Sequence, residues 1–296
     1  MWIDSHCHLE ADDFSVQTES GPVDAREAVV RRARQAGVTR FVVIGSGCSE
    51  REAHNAVALA CRDAEMFAAV GVHPHDASAV VSSKPAQHGK PQLLGEALWN
   101  DIAALGKHPR VVAVGETGLD YHYNHSSPEE QVTLLRRFVK LAQQVEKPLV
   151  LHIREAHTQA MEIIRSEGGS PQGGVVHCFT GGPREAESWL SLGFAISLSG
   201  IVTFKSATVI QEAAKQIPKG RLLLETDCPY LAPIPLRGKR NEPAFLVHTA
   251  AFVARIRSET LDELSAHTRA ATCQVFGLPA SNPDAHGGSV PLENAE

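Results

Sequence analysis

Two histidine pairs stand out in this chain: His6 and His8 within Asp4-Ser5-His6-Cys7-His8, and His73 and His75 within Gly71-Val72-His73-Pro74-His75. Further along come four single residues of the same chemical kind, Glu116, His152, His177 and Asp227. Imidazole and carboxylate are the side chains that hold zinc, manganese and related divalent ions. Residues two apart on a strand project to the same side, so His6 and His8 offer two ring nitrogens to one point, with Asp4 in the same row behind them. The chemistry such a set could do is metal-assisted hydrolysis. A bound ion lowers the pKa of water, and two ions about 3.5 to 4 Å apart clamp the attacking and leaving oxygens of a phosphodiester. Ions that close need a bridging anion, for which Glu116 is the candidate. His6, His8, Glu116 and Asp227 would then hold one ion, and Glu116, His152 and His177 the other. Asp227 has a second role open to it as acceptor of the proton of the attacking water.

Each residue also has a plain structural reading. Glu116 could cap a helix, His152 and His177 could be hydrogen-bonded core histidines, and Asp227 could start the turn at Cys228-Pro229. What favours the chemical reading is where the elements place them. Short apolar runs read as strands at Met1 to Asp4, Arg40 to Ile44, Met66 to Val72, Val111 to Val114, Pro148 to Leu151, Gly174 to Val176, Phe194 to Leu198 and Arg221 to Leu224. Helical patterns separate them, at about 24–36, 50–63, 96–106, 128–145, 155–166, 184–192 and 206–215, and two more follow at 243–256 and 260–275. Eight strand and helix alternations predict an α/β fold of the (β/α)8 TIM-barrel type, because parallel strands need crossover connections. The expected organisation is a single domain over 1–277 and a mobile tail over 278–296. Residues 77–95 read as a surface excursion. In such a barrel the C-terminal ends of all strands open on one face, and the candidates sit at the ends of six of them.

Composition limits the alternatives. The chain has 296 residues, 43% of them hydrophobic and 21% charged, with a net charge of -6. A general coat of positive potential for gripping nucleic acid is therefore excluded, and a polyanion must be met locally. Arg237, Lys239 and Arg240 are a local source, three cations in four residues just beyond the eighth strand. Over the barrel mouth they would contact phosphate; elsewhere they would be a solvated face. His73 is a candidate substrate contact, and Arg154 and Glu225 share parity with His152 and Asp227 as groups that orient ligands. The aromatics Tyr121, Tyr123, Phe179, Phe204 and Tyr230 lie near loop ends, where core packing is the expectation for each. Six cysteines without a CxxC spacing, no apolar run near 20 residues and no leader-like N-terminus point to a cytoplasmic protein with reduced thiols and no membrane partner.

The blocks Asp4-Ser5-His6-Cys7-His8, Gly71-Val72-His73-Pro74-His75, Gly115-Glu116-Thr117-Gly118-Leu119-Asp120, His177-Cys178-Phe179-Thr180-Gly181 and Glu225-Thr226-Asp227-Cys228-Pro229-Tyr230 resemble the signature blocks of the TatD family of metal-dependent deoxyribonucleases. Arg237-Gly238-Lys239-Arg240-Asn241-Glu242-Pro243 is similar to that family's substrate loop, and the resemblance runs from about residue 1 to 277. It implies a TIM-barrel hydrolase with two divalent ions per chain (Mg, Mn or Zn) acting on DNA, single-stranded or at 3′ ends, as a 3′-5′ exonuclease. Related barrels use a carboxylated lysine as the bridge; here no lysine lies between Lys107 and Lys140, which returns the bridge to Glu116. Two other classes remain open. One is a small-molecule amide or lactone hydrolase, or a deaminase, on the same barrel, and the other is a barrel that holds metal without catalysis.

Overall fold

The structure, a computed structural model, describes residues 1–18, 21–47, 49–82 and 95–279. Its elements in order are β1 (Trp2–Cys7), a hairpin of β2 (Ser15–Thr18) and β3 (Gly21–Asp24), α1 (Arg26–Gln35), β4 (Val38–Gly45), α2 (Glu50–Arg62), β5 (Met66–Val70), α3 (Ala77–Val81), α4 (Glu96–Leu105), β6 (Val111–Asp120) and α5 (Pro128–Val145). There follow β7 (Leu149–Arg154), α6 (His157–Ser166), β8 (Gly174–Val176), α7 (Pro183–Ser191), β9 (Phe194–Leu198), α8 (Thr208–Gln216), β10 (Leu222–Leu224), α9 (Leu246–Arg257) and α10 (Leu261–Phe276). All strands but the hairpin form one parallel sheet in the order β1-β4-β5-β6-β7-β8-β9-β10. This is the expected (β/α)8 barrel.

The sheet closes through the residues just past β10. The N–H of Asp227 donates to the His6 carbonyl at 2.9 Å and that of His8 to the Cys228 carbonyl at 2.9 Å. Asp4 reinforces the seam, its carboxylate accepting from the Thr226 N–H at 2.9 Å and the Thr226 hydroxyl at 2.5 Å. Alternation along each strand then divides the apolar residues into two layers. Ile3, Val42, Ile44, Phe67, Val150 and Leu223 fill the interior, with Phe276 at the end of α10 and Leu278 just beyond it packed against them. Phe41, Val43, Val114, Leu151, Ile196 and Leu224 face the helices, against Phe138, Leu134, Trp189 and others. Helix α5 starts where its sequence dictates: Pro128 sits in the first turn, and Ser127 and Glu130 cap each other.

Three differences from the sequence reading bear on the site. β1 runs on to Cys7 and β6 to Asp120, so His6 and Glu116 lie within strands rather than after them. Glycine makes the longer β6 possible: a Cβ on Gly118 (φ +149°) would stand 2.0 Å from the His152 carbonyl oxygen, and one on Gly115 (φ +126°) 2.3 Å from that of Val150. Only a bare backbone fits this close to β7. The excursion expected over 77–95 begins as α3, whose Ala77, Ala79 and Val80 are buried; residues 83–94 lie outside the described residues. The segment from 280 onward, most of the expected tail, also lies outside them. No described helix is long and apolar enough to cross a membrane.

Candidate metal centre

The strand ends bring the histidines and acids to one point, and Glu116 lies at its middle, 2% exposed. Its two carboxylate oxygens face different partners. Oε2 is 3.5 Å from His6 Nε2 and 3.9 Å from His8 Nε2, and it accepts from the Ser46 hydroxyl at 3.3 Å. Oε1 is 2.6 Å from His177 Nε2, 3.1 Å from His152 Nδ1 and 3.5 Å from His73 Nε2. Asp227 joins the Oε2 side, with Oδ1 at 3.6 Å from His6 Nε2 and 3.5 Å from His8 Nε2. All six ligand candidates therefore converge.

The donor set fits divalent metal. Three pairs of imidazole nitrogens face each other at 3.3 Å: His6 with His8, His152 with His177, and His73 with His152. A hydrogen bond uses one proton per pair, whereas a cation satisfies every lone pair aimed at it. Three groups, His6-His8-Asp227, His6-Glu116-His177 and His73-Glu116-His152, each keep their ligand atoms within 4.8 Å of one another. His6 Nδ1 and His177 Nδ1 are buried without a hydrogen-bond partner among the described residues. The imidazole and carboxylate mixture suits zinc or manganese.

The electrostatics follow from this crowding. Burial works against ionisation of Glu116, but the surrounding His177, His73 and His6 and the His152 hydrogen bond outweigh it and hold the carboxyl well below the usual range. Burial likewise opposes protonation of His8 and His177; neighbouring carboxylates, Asp227 and Glu10 for His8 and Glu116 and Glu225 for His177, push both well above the ordinary histidine value. His73 is driven well below it by burial, with too little compensation from Glu116. The site thus holds anionic carboxylates among imidazoles of unlike proton affinity, high at His8 and His177 and low at His73.

Backbone conformation at the strand ends is unusual where the ligands are presented. Asp227 (φ 56°) and Cys178 (φ 41°), beside His177, occupy the left-handed region that side chains with a Cβ rarely adopt. The Asp227 N–H bond to His6 and the Glu225 carboxylate, which accepts the Cys178 N–H at 2.5 Å, hold these two turns. Glu225 also lies 3.4 Å from His177 Nδ1. Asp4 holds Thr226 and, among the described residues, bonds no imidazole nitrogen; burial pushes its carboxyl up to about 7 against the Thr226 bonds.

The other sequence candidates take varied positions. His73 lies within the cluster, a place compatible with ligation as well as with substrate contact. Arg154, expected to orient a ligand, has its guanidinium 5.0 Å from the centre of the Tyr123 ring. Arg237, Lys239 and Arg240 are exposed on a loop whose ends Asn241 ties back to the mouth through bonds to the Thr226 and Tyr230 carbonyls at 2.8 and 2.6 Å. Arg237 rests over Phe204 and Arg240 over Phe14, at 4.5 and 5.6 Å.

Two acids went unassigned in the sequence reading. Asp120 Oδ2 accepts from both His152 Nε2 and His75 Nε2 at 3.0 Å, and these bonds overcome burial to hold its carboxyl far below the ordinary value. Glu10 lies 3.3 Å from His8 Nδ1. Spacing could have found both, because Asp120 lies four residues beyond Glu116 and Glu10 two beyond His8, each in ligand parity.

Comparison with known proteins identifies the family. The sequence model of the family described as TatD related DNase matches residues 3–277. An uncharacterized metal-dependent hydrolase of Bacillus subtilis strain 168, YabD, is 34% identical over 278 residues, covering 94% of this chain and all of that one. The 3′-5′ ssDNA/RNA exonuclease TatD of Erwinia amylovora is 37% identical over 259 residues, 86% of this chain and 94% of its own. Among solved structures, the TatD homologue YjjV of Escherichia coli K12 superposes with a TM-score of 0.80 at 28% identity, covering 94% of this chain and 98% of that one. The chain belongs to the TatD family of metal-dependent hydrolases.

Proposed function

We propose that this protein hydrolyses DNA phosphodiester bonds, acting as a 3′-5′ exonuclease on single strands with two divalent ions held by His6, His8, Glu116, His152, His177 and Asp227. The observation that carries this reading is the division of Glu116, whose Oε2 faces His6 and His8 while Oε1 faces His177 and His152. A carboxylate so placed would serve an ion on either side, with His6 and His8 on one and His177 and His152 on the other. Bound divalent ions supply Lewis acidity: they lower the pKa of water and neutralise charge on the phosphoryl oxygens.

The chain's own residues do the rest. Asp227, whose side chain at 12% exposure is more open than the 3% of Glu116, takes the proton of the attacking water. Glu116 stays anionic and keeps the imidazoles in place. Asp120 fixes His152 with Nε2–H donating outward, which leaves the Nδ1 lone pair facing the centre. Arg237, Lys239 and Arg240, all exposed on the loop beyond β10, hold the phosphate backbone over the mouth. The name of the Erwinia relative supports a 3′-terminal single strand as substrate.

The test is a substrate panel. Protein stripped with EDTA and restored with Mg, Mn or Zn is assayed against 3′-labelled single-stranded DNA, the corresponding RNA, and a set of amides and lactones. Stepwise shortening of DNA from the 3′ end, absent in EDTA, is expected. Turnover confined to the amides or lactones refutes the proposal, as does metal binding without any turnover.

A further inference from the structure

Tyr123 and Tyr230, two of the chain's three tyrosines, stand at the mouth with 53% and 58% of their surface open. They follow β6 and β10, the fourth and eighth strands of the eight-stranded order, and so face each other across the barrel. Each adjoins the cluster: the Tyr230 ring lies 6.0 Å from that of His8, and the Tyr123 ring 5.5 Å from that of His75. Their exposure contrasts with Phe179, another aromatic at a strand end, which is fully buried.

The surroundings of Tyr123 are built. His125 stacks beside it at 5.8 Å with planes 16° apart, and the Arg154 guanidinium lies 5.0 Å from its centre. The loop carrying the ring is pinned: Asp120 Oδ1 accepts the N–H groups of His122 and Tyr123, both at 2.9 Å. The other oxygen of that carboxylate holds His152 and His75. One side chain therefore sets the position of the open ring relative to the metal-facing imidazole. Gln131 braces the arrangement, bonding the N–H and carbonyl of Asp120 and the carbonyl of Ser126.

Flat π faces and a guanidinium beside a phosphate-cleaving centre are what unpaired nucleobases stack on. We propose that Tyr123, with His125 and Arg154, forms a stacking platform for a base flanking the bond that is cut, and that Tyr230 receives a base on the opposite side of the mouth. This rests on the nucleic-acid reading above and extends it with two base subsites. The platform selects substrates with exposed bases and disregards their sequence, because every base has a π face. Paired bases offer it no open face.

The experiment is a binding titration of the metal-loaded full chain. The probes are an end-labelled thymidine oligomer with a phosphorothioate backbone that resists cleavage, and its abasic counterpart carrying the same charges. Tyr123→Ala is expected to weaken binding of the thymidine oligomer on the order of ten-fold. Tyr123→Phe should retain it, and the abasic oligomer, which forgoes stacking at both subsites, should bind the parent protein more weakly than the thymidine oligomer binds Tyr123→Ala. Circular dichroism and retained metal content establish that the variants are folded. Equal affinity of the parent protein and Tyr123→Ala for the thymidine oligomer overturns the platform while leaving the hydrolase reading intact. Failure of the parent protein to bind either oligomer, together with failure to cleave the unmodified thymidine oligomer, overturns both.

Discussion

Replacing Asp120 by Asn is expected to impair metal binding although Asp120 is not itself among the proposed ligands. In the structure both oxygens are engaged, Oδ1 with two backbone N–H groups and Oδ2 with the Nε2 atoms of His152 and His75 at 3.0 Å. An asparagine keeps its oxygen toward the two N–H groups, which have no other tautomer, and turns its NH2 toward His152. Nε2 of His152 must then accept, and the ring proton moves to Nδ1, the atom that faces Glu116 and His177. A protonated nitrogen cannot ligate. The loss should be about 10- to 100-fold in affinity for Mn or Zn, or about 1.4 to 2.7 kcal/mol, the range found when a group orienting a metal-bound histidine is removed. Chelator competition measures the affinity. The nitrogen shifts of His152 in a labelled, metal-free sample report the tautomer independently of turnover. Unchanged affinity together with an unchanged tautomer would refute the reasoning.

Neutralising Arg237, Lys239 and Arg240 together should raise KM for single-stranded DNA with little change in kcat, and should reduce the slope of log affinity against log salt by about 2, at about 0.7 per phosphate contact. An unaltered slope returns these residues to a solvated face. The turn between α9 and α10 provides a test of stability away from the site: Glu259 accepts from Arg257 at 3.0 and 3.1 Å and lies 2.6 Å from His267 Nε2. Burial opposes its ionisation, but His267 and Arg257 hold its pKa below the ordinary glutamate value. A depressed carboxyl contributes stability that is present above the unfolded value and is lost as pH falls through the folded one. Glu259→Gln should therefore cost about 1 kcal/mol at pH 7, and the gap to the parent protein should narrow in acid, as read by urea denaturation at several pH values. A gap that widens in acid contradicts the sign.

Much of this architecture is legible in the sequence because its signals are local. Strands such as Phe194 to Leu198 are short apolar runs, and the α5 start at Ser127, Pro128 and Glu130 needs no tertiary information. The ligand candidates were found because a barrel converts strand-end position into spatial convergence. What escaped the reading depends on contacts between distant segments. The extent of β6 is set by how closely Gly115 and Gly118 let it approach β7, and a propensity rule penalises glycine in a strand without seeing that approach. Spacing puts Asp120 in parity with Glu116, but its role is set by two histidine partners that lie 45 and 32 residues away. Arg154 shares parity with His152 yet is drawn aside by Tyr123, an aromatic from another loop. Parity gives the face of a strand, and the neighbours decide where a long side chain ends.

The central claim is that the two oxygens of Glu116 serve two cation positions at once, and metal analysis of Glu116→Gln tests it most directly. The variant, shown by circular dichroism to be folded, is equilibrated with Mn beside the parent protein and His177→Ala, and bound metal per chain is measured with the rate of single-stranded DNA cleavage. The account predicts two ions in the parent protein, depletion of both positions and loss of cleavage in Glu116→Gln, and depletion of mainly one position in His177→Ala. A folded Glu116→Gln protein with full metal content and the parent rate would contradict it.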